Sequence, residues 1–497
     1  MKRYDVWEIV PKRKQVQAIP IKWIFTIKSN GTYKARLVVI GCRDKNKATR
    51  IETTSPTPTS GSIRWLFILA SKFGWNMWQL DLTNAYLNSK IHCEKYVAVP
   101  KGINYDPTKY MCRLKKALYG LDIAPKCFNI EIDSFLKSQG FEQNKREPCI
   151  YTKMNETLIT IILVFVDDFI LTGNDTISIT DFLDKFTKKY EVKNLGFPST
   201  FVGIEIVKRN DAIFLHQKSY PESIVRQFYT LDETKLQISK WSTTPMPPIS
   251  DHKRMAVLPE NTFPYRQVLG ALIYLANYTR PDLSFPVNYL ARFQTVSTSL
   301  HWTLLQRILY YVSKTSELGI SCPKNDQEFL PNERNMPDLF DVYVDADHAG
   351  DTTRKSTTGF IVRLFQTPVM WCSRLQPTIA EGTTEAEYIA LNEAAHAALF
   401  FTRLTNETLK INSHPVTFYE DNYAALCQAT TKVSKGKLKH VELRYFKIQE
   451  YVENGFITIE QVQTDEQLAD LLTKPLLLHP FEKCRNALLK PLHTTNG

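Results

Sequence analysis

Along the first part of the chain, hydrophobic and polar residues repeat with two different spacings. A repeat of about two residues predicts strands, and a repeat of about 3.6 residues predicts helices. Residues 22–28 and 33–40 alternate as hairpin strands do, and Gly31-Thr32 between them marks the turn. Residues 63–73 are apolar enough for a buried helix, whereas residues 76–82 follow the strand pattern. The sequence therefore predicts a hairpin, a helix and a further strand within its first 82 residues.

The later parts of the chain show the same mixture of periods. Residues 129–139 place apolar side chains at helical spacing, and residues 384–404 predict a long alanine-rich helix. Residues 342–345 and 416–419 predict strands that end beside carboxylates. This mixture of strands and helices predicts an α+β fold.

Proline-rich or polar stretches interrupt these patterns at 53–60, 243–250 and 321–340. We expect the last two to separate folded regions. The predicted parts of the chain are 1–230, 231–340, 341–475 and a partly loose tail, 476–497.

Composition narrows the class of protein. The 497 residues are 43% hydrophobic and 23% charged, which excludes a largely disordered or collagen-like chain. The nine cysteines form no CxxC pair, which argues against a zinc ribbon and a secreted disulfide framework. The N-terminus lacks the apolar core of a signal peptide, and the longest apolar stretch is shorter than the ~20 residues of a membrane span. We expect a soluble intracellular protein, and its net charge of +11 favours a polyanionic partner.

Two adjacent aspartates interrupt the apolar run LITIILVFVDDFILTG. A strand–turn–strand unit would place Asp167 and Asp168 at its turn, where an ordinary solvated Asp-Asp turn is the alternative interpretation. Asp81 ends a strand of its own and could reach the same place. Two divalent ions ~3.5–4 Å apart, held by such carboxylates, can catalyse nucleotidyl transfer. Mg²⁺ prefers these hard oxygen ligands.

Four ordered segments carry a resemblance to a known family: WQLDLTNAYLNSKIHCEKYVAVPKG, LKKALYGLDIAPKCF, ILVFVDDFILTGND and YRQVLGALIYLANYTRPDLSFPVNYLARF. They resemble the reverse transcriptase of copia-type LTR retrotransposons, to which the yeast Ty elements belong. The resemblance implies fingers and palm in 1–230 and a thumb or connection in 231–340. It also implies that Asp81, Asp167 and Asp168 are catalytic metal ligands.

The same resemblance suggests substrate contacts. Tyr86 matches the aromatic residue that crowds the sugar 2′ position, and Phe165 stands where the family often has tyrosine. Lys34 and Arg36 match basic residues near the triphosphate, and their alternate positions on a strand give them one face. An ordinary core tyrosine and a solvated strand face are the alternatives. One departure is LYGLDIAP, because Ile123 replaces a glutamine that contacts the incoming nucleotide and Asp122 replaces a cation.

Four more acids recur in the last third, in DADHAGD, TTEAEY, YEDN and QLADLLTKP. Taken singly, Glu385 could complement a helix dipole and Asp421 could be a helix N-cap. In this order they resemble the ribonuclease H of the same elements, which implies an α/β domain with a mixed sheet in 341–475. The implied metal ligands and catalytic residues are Asp345, Glu385, Asp421 and Asp470. Glu387 would lie on a different helix face from Glu385, and we assign the single ligand to Glu385.

Two basic features accompany this second group of acids. His440 is expected to contact substrate, with a structural histidine as the alternative. Residues 432–439 contain four lysines that suit a phosphate backbone, with an exposed polar loop as the alternative.

The resemblance implies Mg²⁺ or Mn²⁺ as cofactor and RNA template, DNA primer, RNA–DNA hybrid and dNTPs as partners. It also implies virus-like particle proteins and other Pol products as partners, no membrane, and a cytoplasmic and nuclear location. No protease, integrase or zinc-knuckle signature is found, so the chain is expected to be a processed fragment or a truncated copy. Two hypotheses stay open: an RNA-directed DNA polymerase with ribonuclease H activity, and an inactive transposon remnant that at most binds nucleic acid.

Overall fold

The computed structural model describes residues 1–13, 15–27, 31–45, 49, 53–229, 243–250, 263–324, 336, 339–431 and 443–493. Contacts divide the chain into two compact units. The first comprises residues 1–58 and 76–198, and the second comprises residues 59–75 and 199–497. Strands and helices are mixed in both units, which confirms the α+β prediction. Compact units differ from functional domains, so the four-part division of the chain stays a prediction.

A six-stranded antiparallel sheet forms the centre of the first unit. Its spatial order is β11-β4-β10-β9-β8-β7. The strands are β4 (Asn76–Leu82), β7 (Glu142–Gln143), β8 (Ile150–Asn155), β9 (Leu158–Phe165), β10 (Asp168–Gly173) and β11 (Val192–Gly196). The strand predicted at 76–82 is confirmed, and so is the strand–turn–strand unit around Asp167.

Helices cover one face of this sheet. α2 (Ala85–Asn88) is short, whereas α3 (Ala124–Ser138) and α4 (Thr176–Lys189) are amphipathic. Phe135 and Phe186 lie in one apolar core with Leu80 and Phe169 of the sheet. The Asp175 side chain accepts a hydrogen bond from the Ser178 amide, which caps α4.

A hairpin and a small sheet complete the first unit. The hairpin pairs β2 (Ile21–Ile27) with β3 (Tyr33–Val39), as predicted. The small sheet has the order β1-β6-β5, from Trp7–Pro11, Tyr110–Leu114 and Tyr96–Val97. Gly120, with φ of 89°, lies so close to β3 that a Cβ there would be 2.0 Å from the Val39 carbonyl oxygen. Only glycine therefore lets this loop approach the base of the hairpin.

The second unit contains a five-stranded mixed sheet with the order β18-β17-β16-β19-β20. Its strands are β16 (Phe340–Asp347), β17 (Thr357–Leu364), β18 (Thr367–Leu375), β19 (Val416–Glu420) and β20 (Ile457–Gln461). β16 pairs in parallel with β19 and antiparallel with β17. The long helix α9 (Thr383–Leu409) packs on β16 and β17, and α10 (Tyr423–Thr430) and α11 (Leu443–Glu453) flank the sheet.

A second sheet of this unit has the order β12-β13-β14-β15-β21. Its strands are Thr200–Phe201, Ile204–Lys208, Ala212–His216, Leu318–Pro323 and Lys490–Pro491. The remaining helices are α1 (Ser60–Lys72), α5 (Ser219–Phe228), α6 (Tyr265–Tyr278), α7 (Ser284–Ala291), α8 (Ser299–Lys314) and α12 (Leu478–Leu488). Among the described residues, no helix combines the length and apolar character needed to cross a membrane.

The expectation of a partly loose tail after residue 475 is wrong for the part that is described. Phe481, Cys484 and Leu488 of α12 are buried, and β21 pairs with β15. The apolar residues of α12 recur at helical spacing, so this face packs into the unit.

Helix α1 carries a fully buried arginine. Arg64 donates to the backbone carbonyls of Val369, Asn277 and Tyr278, and its guanidinium lies 3.9 Å from the centre of the Trp371 ring. Burial lowers the pKa of Arg64 to about 9. Carbonyl dipoles and an aromatic face thus replace a carboxylate as the partners of this cation.

A second buried arginine has an ionic partner. Arg280 is 1% exposed and makes two hydrogen bonds, of 2.9 and 2.7 Å, to the Asp282 carboxylate. The Tyr311 hydroxyl donates to the same carboxylate at 2.7 Å, and Arg280 also binds Thr315. Burial opposes the charge of Arg280, but the Asp282 carboxylate raises its pKa overall.

Asp282→Ala is expected to destabilise the second unit by about 3–5 kcal/mol, because it leaves a buried guanidinium without its counter-charge. Tyr311→Phe removes one hydrogen bond to a charged group and should cost about 1–3 kcal/mol. The shift of the urea transition measures both effects. Arg280→Met combined with Asp282→Leu should recover most of the loss. An unchanged transition in Asp282→Ala would contradict this account.

Candidate active sites

The first acidic site lies where two central strands of the first unit meet. β10 and β4 pair with Asp168 directly opposite Asp81, and directly opposite residues share a face. Asp167 lies in the turn before β10, after Val166 in the left-handed region with φ of 53°. The Asp167 carbonyl accepts a 2.8 Å hydrogen bond from the Leu82 amide. The register therefore brings the three predicted aspartates together.

The three carboxylates repel one another. Burial and the charges of Asp167 and Asp81 raise the pKa of Asp168 to about 6, although a hydrogen bond from Gln79 opposes this. Burial and the charge of Asp81 also raise the pKa of Asp167, while Lys34 and Arg36 act to lower it. A bound cation would relieve this repulsion.

Basic and aromatic side chains surround these aspartates. Lys34 and Arg36 occupy alternate positions of β3, as the sequence predicts. Tyr86, on α2, is half-buried, with its ring centre 4.7 Å from that of Tyr119 and 6.1 Å from that of Phe128. Burial and the charge of Asp167 raise the pKa of Tyr86, which places its hydroxyl in the field of this aspartate. Phe165 ends β9 directly opposite Asp168. Their substrate roles stay predictions.

Two residues at this site were missed from the sequence. Lys193 on β11 pairs directly with Asp81, and its exposed side chain shares the face of Asp81 and Asp168. Tyr119 lies under Arg36, whose guanidinium carbon is 6.0 Å from the ring centre. Burial and the charge of Asp167 raise the pKa of Tyr119 to about 12. The position of Tyr119 in LYGL was a usable signal, whereas Lys193 depends on strand register.

The substituted pair Asp122-Ile123 has a structural role. Ile123 is 5% exposed and packs in an apolar core with Val39, Leu121 and Cys127. The Asp122 carboxylate accepts a 2.9 Å hydrogen bond from the Ile123 amide. Ile123 is therefore a core residue at the start of α3.

The second acidic site, in the second unit, is more compact. Asp345, Glu387 and Asp421 can bring three carboxylate oxygens within 4.8 Å of one another. Tyr343 pairs with Tyr419 in the parallel strands β16 and β19, so Asp345 and Asp421 each follow two residues later. The parallel register thus places both carboxylates side by side, just beyond the last paired residues of the two strands.

The glutamate that joins this cluster in the structure is Glu387, whereas the sequence predicts Glu385. Glu385 lies in the first turn of α9, and its carboxylate accepts a 2.7 Å hydrogen bond from the Glu381 amide. Glu387 is 6% exposed, on the face of α9 that packs against the sheet. Residues that are two positions apart on a helix do point in different directions, as the sequence predicts. The residue on the buried face, however, is Glu387 rather than Glu385.

Asp421 is not the cap of the following helix. The side chain that caps α10 is that of Asn422, which accepts from the Ala425 amide at 3.1 Å, whereas the Asp421 carboxylate is hydrogen-bonded to the Thr464 side chain. Asp470 lies on a short 3₁₀ helix, Leu468–Leu472, whose leucines are buried.

This 3₁₀ helix and the residues after it pack against the sheet at Gly359, where no side chain is in the way. Gly359 stands opposite Asp345 on β17, where a Cβ would lie 2.5 Å from the Thr473 methyl carbon. The absence of a side chain at Gly359 lets the segment 468–474 approach Asp345. The Thr473 hydroxyl donates a hydrogen bond to the Asp345 carboxylate. Lys474 follows, with Nζ 2.7 Å from Asp470 Oδ1 and 3.8 Å from Asp345 Oδ2.

Carboxylates are crowded at the second site as well. Burial and the charge of Asp345 raise the pKa of Asp470 to about 7. Burial and the charge of Glu420 hold the pKa of Glu387 well above its usual range, and burial raises that of Glu420 to about 8. Within the described part of the chain, one carboxylate oxygen of Glu387 and one of Glu420 have no hydrogen-bond partner.

These donors fit a divalent metal ion. They are hard carboxylate oxygens, three of them can converge within 4.8 Å, and Glu387 has a buried oxygen to offer. Mg²⁺ and Mn²⁺ favour such ligands. Among the described residues, no other group of three potential ligands converges as closely. His440 and the basic residues 432–439 lie outside the described residues.

Comparison with known proteins connects both sites to one family. Residues 4–240 match the family model "Reverse transcriptase (RNA-dependent DNA polymerase)". The Pol polyprotein of transposon RE2 from Arabidopsis thaliana is 34% identical over 487 residues, which are 96% of this chain and 32% of that polyprotein. The chain thus spans about a third of this relative.

A shorter relative is covered almost completely. The putative transposon Ty5-1 protein of Saccharomyces cerevisiae is 30% identical over 325 residues, which are 63% of this chain and 98% of that protein. The match to the crystal structure of the prototype foamy virus protease–reverse transcriptase covers 94% of this chain and 53% of the viral chain. Its sequence identity is 15% and its TM-score is 0.25. The sequence matches confirm the resemblance: the chain belongs to the family of copia-type retrotransposon Pol polyproteins.

Proposed function

We propose that the chain is an RNA-directed DNA polymerase joined to a ribonuclease H. Nucleotidyl transfer takes place at Asp81, Asp167 and Asp168. RNA hydrolysis takes place at Asp345, Glu387, Asp421 and Asp470. The observation that carries this proposal is that a member of this family concentrates carboxylates at two separate sites, partly buried at the first and mostly buried at the second, where a cation would relieve their repulsion.

At the polymerase site, Asp81, Asp167 and Asp168 would hold the metal ions. Divalent ions bound there would activate the primer 3′-hydroxyl and bind the triphosphate of the incoming nucleotide. Lys34 and Arg36 would offset the charge of that triphosphate, since both already act on Asp167. Lys193 shares the face of Asp81 and adds a third cation for an anionic substrate. Tyr86 would crowd the sugar 2′ position, and Phe165 would flank the turn.

At the nuclease site, Asp345, Glu387, Asp421 and Asp470 would hold the metal ions. Divalent ions bound there would activate water and stabilise the leaving oxygen. Thr473 orients Asp345 through its hydroxyl, and the buried leucines around Asp470 keep that carboxylate in place. The substrates are an RNA template, a DNA primer, dNTPs and the resulting hybrid. His440 contacts the hybrid in this proposal, and the location is cytoplasmic, in virus-like particles, and nuclear.

Asp168→Asn is expected to reduce primer extension on an RNA template by about 10³-fold or more, because it removes a metal ligand. Asp184→Asn, an exposed aspartate on α4, makes the same chemical change in the same unit and should leave extension unchanged. Incorporation of labelled dNTP with Mg²⁺ measures both. If folded wild-type protein extends no primer and cleaves no RNA, the chain is an inactive remnant.

Glu387→Gln is expected to abolish cleavage of the RNA strand in an RNA–DNA hybrid, whereas Glu385→Gln should retain at least about a third of the activity. The reason is that only Glu387 shares the cluster of Asp345 and Asp421, while loss of charge at Glu385 costs about 0.3–1 kcal/mol of helix stability. Gel analysis of a labelled hybrid compares the two. The opposite ranking would restore the assignment of Glu385.

The magnesium requirement of DNA synthesis should depend on pH. The pKa of Asp168 is raised to about 6, so a proton must leave this carboxylate before a metal binds below that pH. The half-saturating Mg²⁺ concentration should therefore rise as the pH falls through 6, by about tenfold per unit well below it. Saturating Mg²⁺ should recover the rate. A requirement that is constant between pH 7.5 and 5.5 would contradict this expectation.

A further inference from the structure

Lys474 lies inside the acidic site of the second unit. Its ammonium group is 2.7 Å from Asp470 Oδ1 and 3.8 Å from Asp345 Oδ2, and two of the four proposed metal ligands thus share one lysine. The side chain is 36% exposed, whereas those of Asp345 and Asp470 are 5% and 12% exposed. The ammonium group is therefore more exposed to solvent than either of its two partners.

The backbone beneath Lys474 is held firmly. The Lys474 amide donates to the Asp470 carbonyl at 3.3 Å, and the preceding Thr473 is packed against Gly359 and bonded to Asp345. Movement of Lys474 therefore concerns the flexible four-carbon stem of its side chain.

The charges around this ammonium are strongly unbalanced. The acids whose fields meet in the site are Asp345, Asp347, Glu387, Glu420, Asp421 and Asp470. Among the described residues, Arg292 and His348 also act on Asp347, but Arg292 is ion-paired at 2.8 Å with Asp351. Within that part of the chain, Lys474 is the basic residue whose side chain is ion-paired with both Asp345 and Asp470.

We propose that Lys474 is a resident counter-cation, which competes with a divalent metal ion for Asp345 and Asp470 and leaves them when the ion binds. This inference rests on the proposed function, because it takes the cluster to be a metal site. Lys474 is a positioning residue: it keeps the carboxylates together without metal and sets the metal concentration at which the site fills. A single charge ~5 Å from an ion binding site changes affinity strongly at the effective dielectric constants of proteins.

Binding of Mn²⁺, followed by electron paramagnetic resonance of free Mn²⁺, tests the proposal without any activity. The protein is the full chain with Asp167→Asn and Asp168→Asn, which weakens binding at the polymerase site. In this background Lys474→Met should bind Mn²⁺ at least about tenfold more tightly at the second site. Lys474→Arg keeps the charge and should stay within about threefold of the parent.

Lys483→Met is the matched control. Lys483 is 43% exposed and pairs with Asp465, so its loss changes the net charge equally but away from the cluster. It should leave the affinity within about twofold. Circular dichroism of each variant verifies folding, and Lys474→Gln is a second neutral variant should Lys474→Met not fold.

The outcomes separate the two proposals. Unchanged or weaker Mn²⁺ binding in Lys474→Met and Lys474→Gln would overturn the role of Lys474 while leaving the metal site intact. Glu387→Gln, added to the parent protein, should reduce its Mn²⁺ binding. If Mn²⁺ binding is the same with and without this substitution, the proposed nuclease site itself is wrong. Tighter binding in both neutral variants, with Lys474→Arg and Lys483→Met near the parent, would establish the counter-cation.

Discussion

Repulsion between carboxylates that are partly or fully removed from solvent is the constraint on which both sites depend. Neither Asp168 nor Glu387 would keep its charge easily where it lies, and the pKa of each is raised by burial together with neighbouring acids. Such an arrangement persists only where a rigid scaffold holds the groups against their repulsion. In the first unit the scaffold is the apolar pair β9 and β10, and in the second it is the mixed sheet with α9 packed on it.

The two scaffolds bring acids together in different ways. The first uses antiparallel register, in which Leu80 enters the apolar core while Asp81 and Asp168 stand opposite each other on the other face. The second uses the parallel register of β16 and β19, a helix face that carries Glu387, and the close approach of the segment 468–474 that Gly359 allows. In the first unit, the register of two paired strands is enough to place Asp81 opposite Asp168. The second site needs several elements that are distant in sequence, yet it achieves the tighter convergence of oxygens.

What could be predicted from the sequence follows this difference. The strand pattern identified the strand at 76–82, and an apolar run interrupted by two aspartates identified the turn at Asp167, because both patterns are local. Helix faces were less certain: Glu385 and Glu387 both fit the motif, and only packing against the sheet distinguishes them. The resemblance places Ile123 where the family has a substrate contact, but Ile123 is buried among apolar residues, as its side chain favours. Lys193 and Lys474 were missed, since strand register and a tertiary ion pair leave no local pattern.

The buried cations of the second unit show why Lys474 is unlike the others. Arg64 is held by three carbonyls and an aromatic ring, and Arg280 by one carboxylate with its hydrogen bonds satisfied. Both guanidinium groups are fully enclosed, with fixed planar geometry that suits permanent structure. Lys474 instead places a compact ammonium on a flexible stem, partly open to solvent and beside more acids than it can neutralise. The two enclosed cations are thus arginines, whereas the cation beside the proposed metal site is a lysine, whose flexible side chain would leave the carboxylates without movement of the backbone.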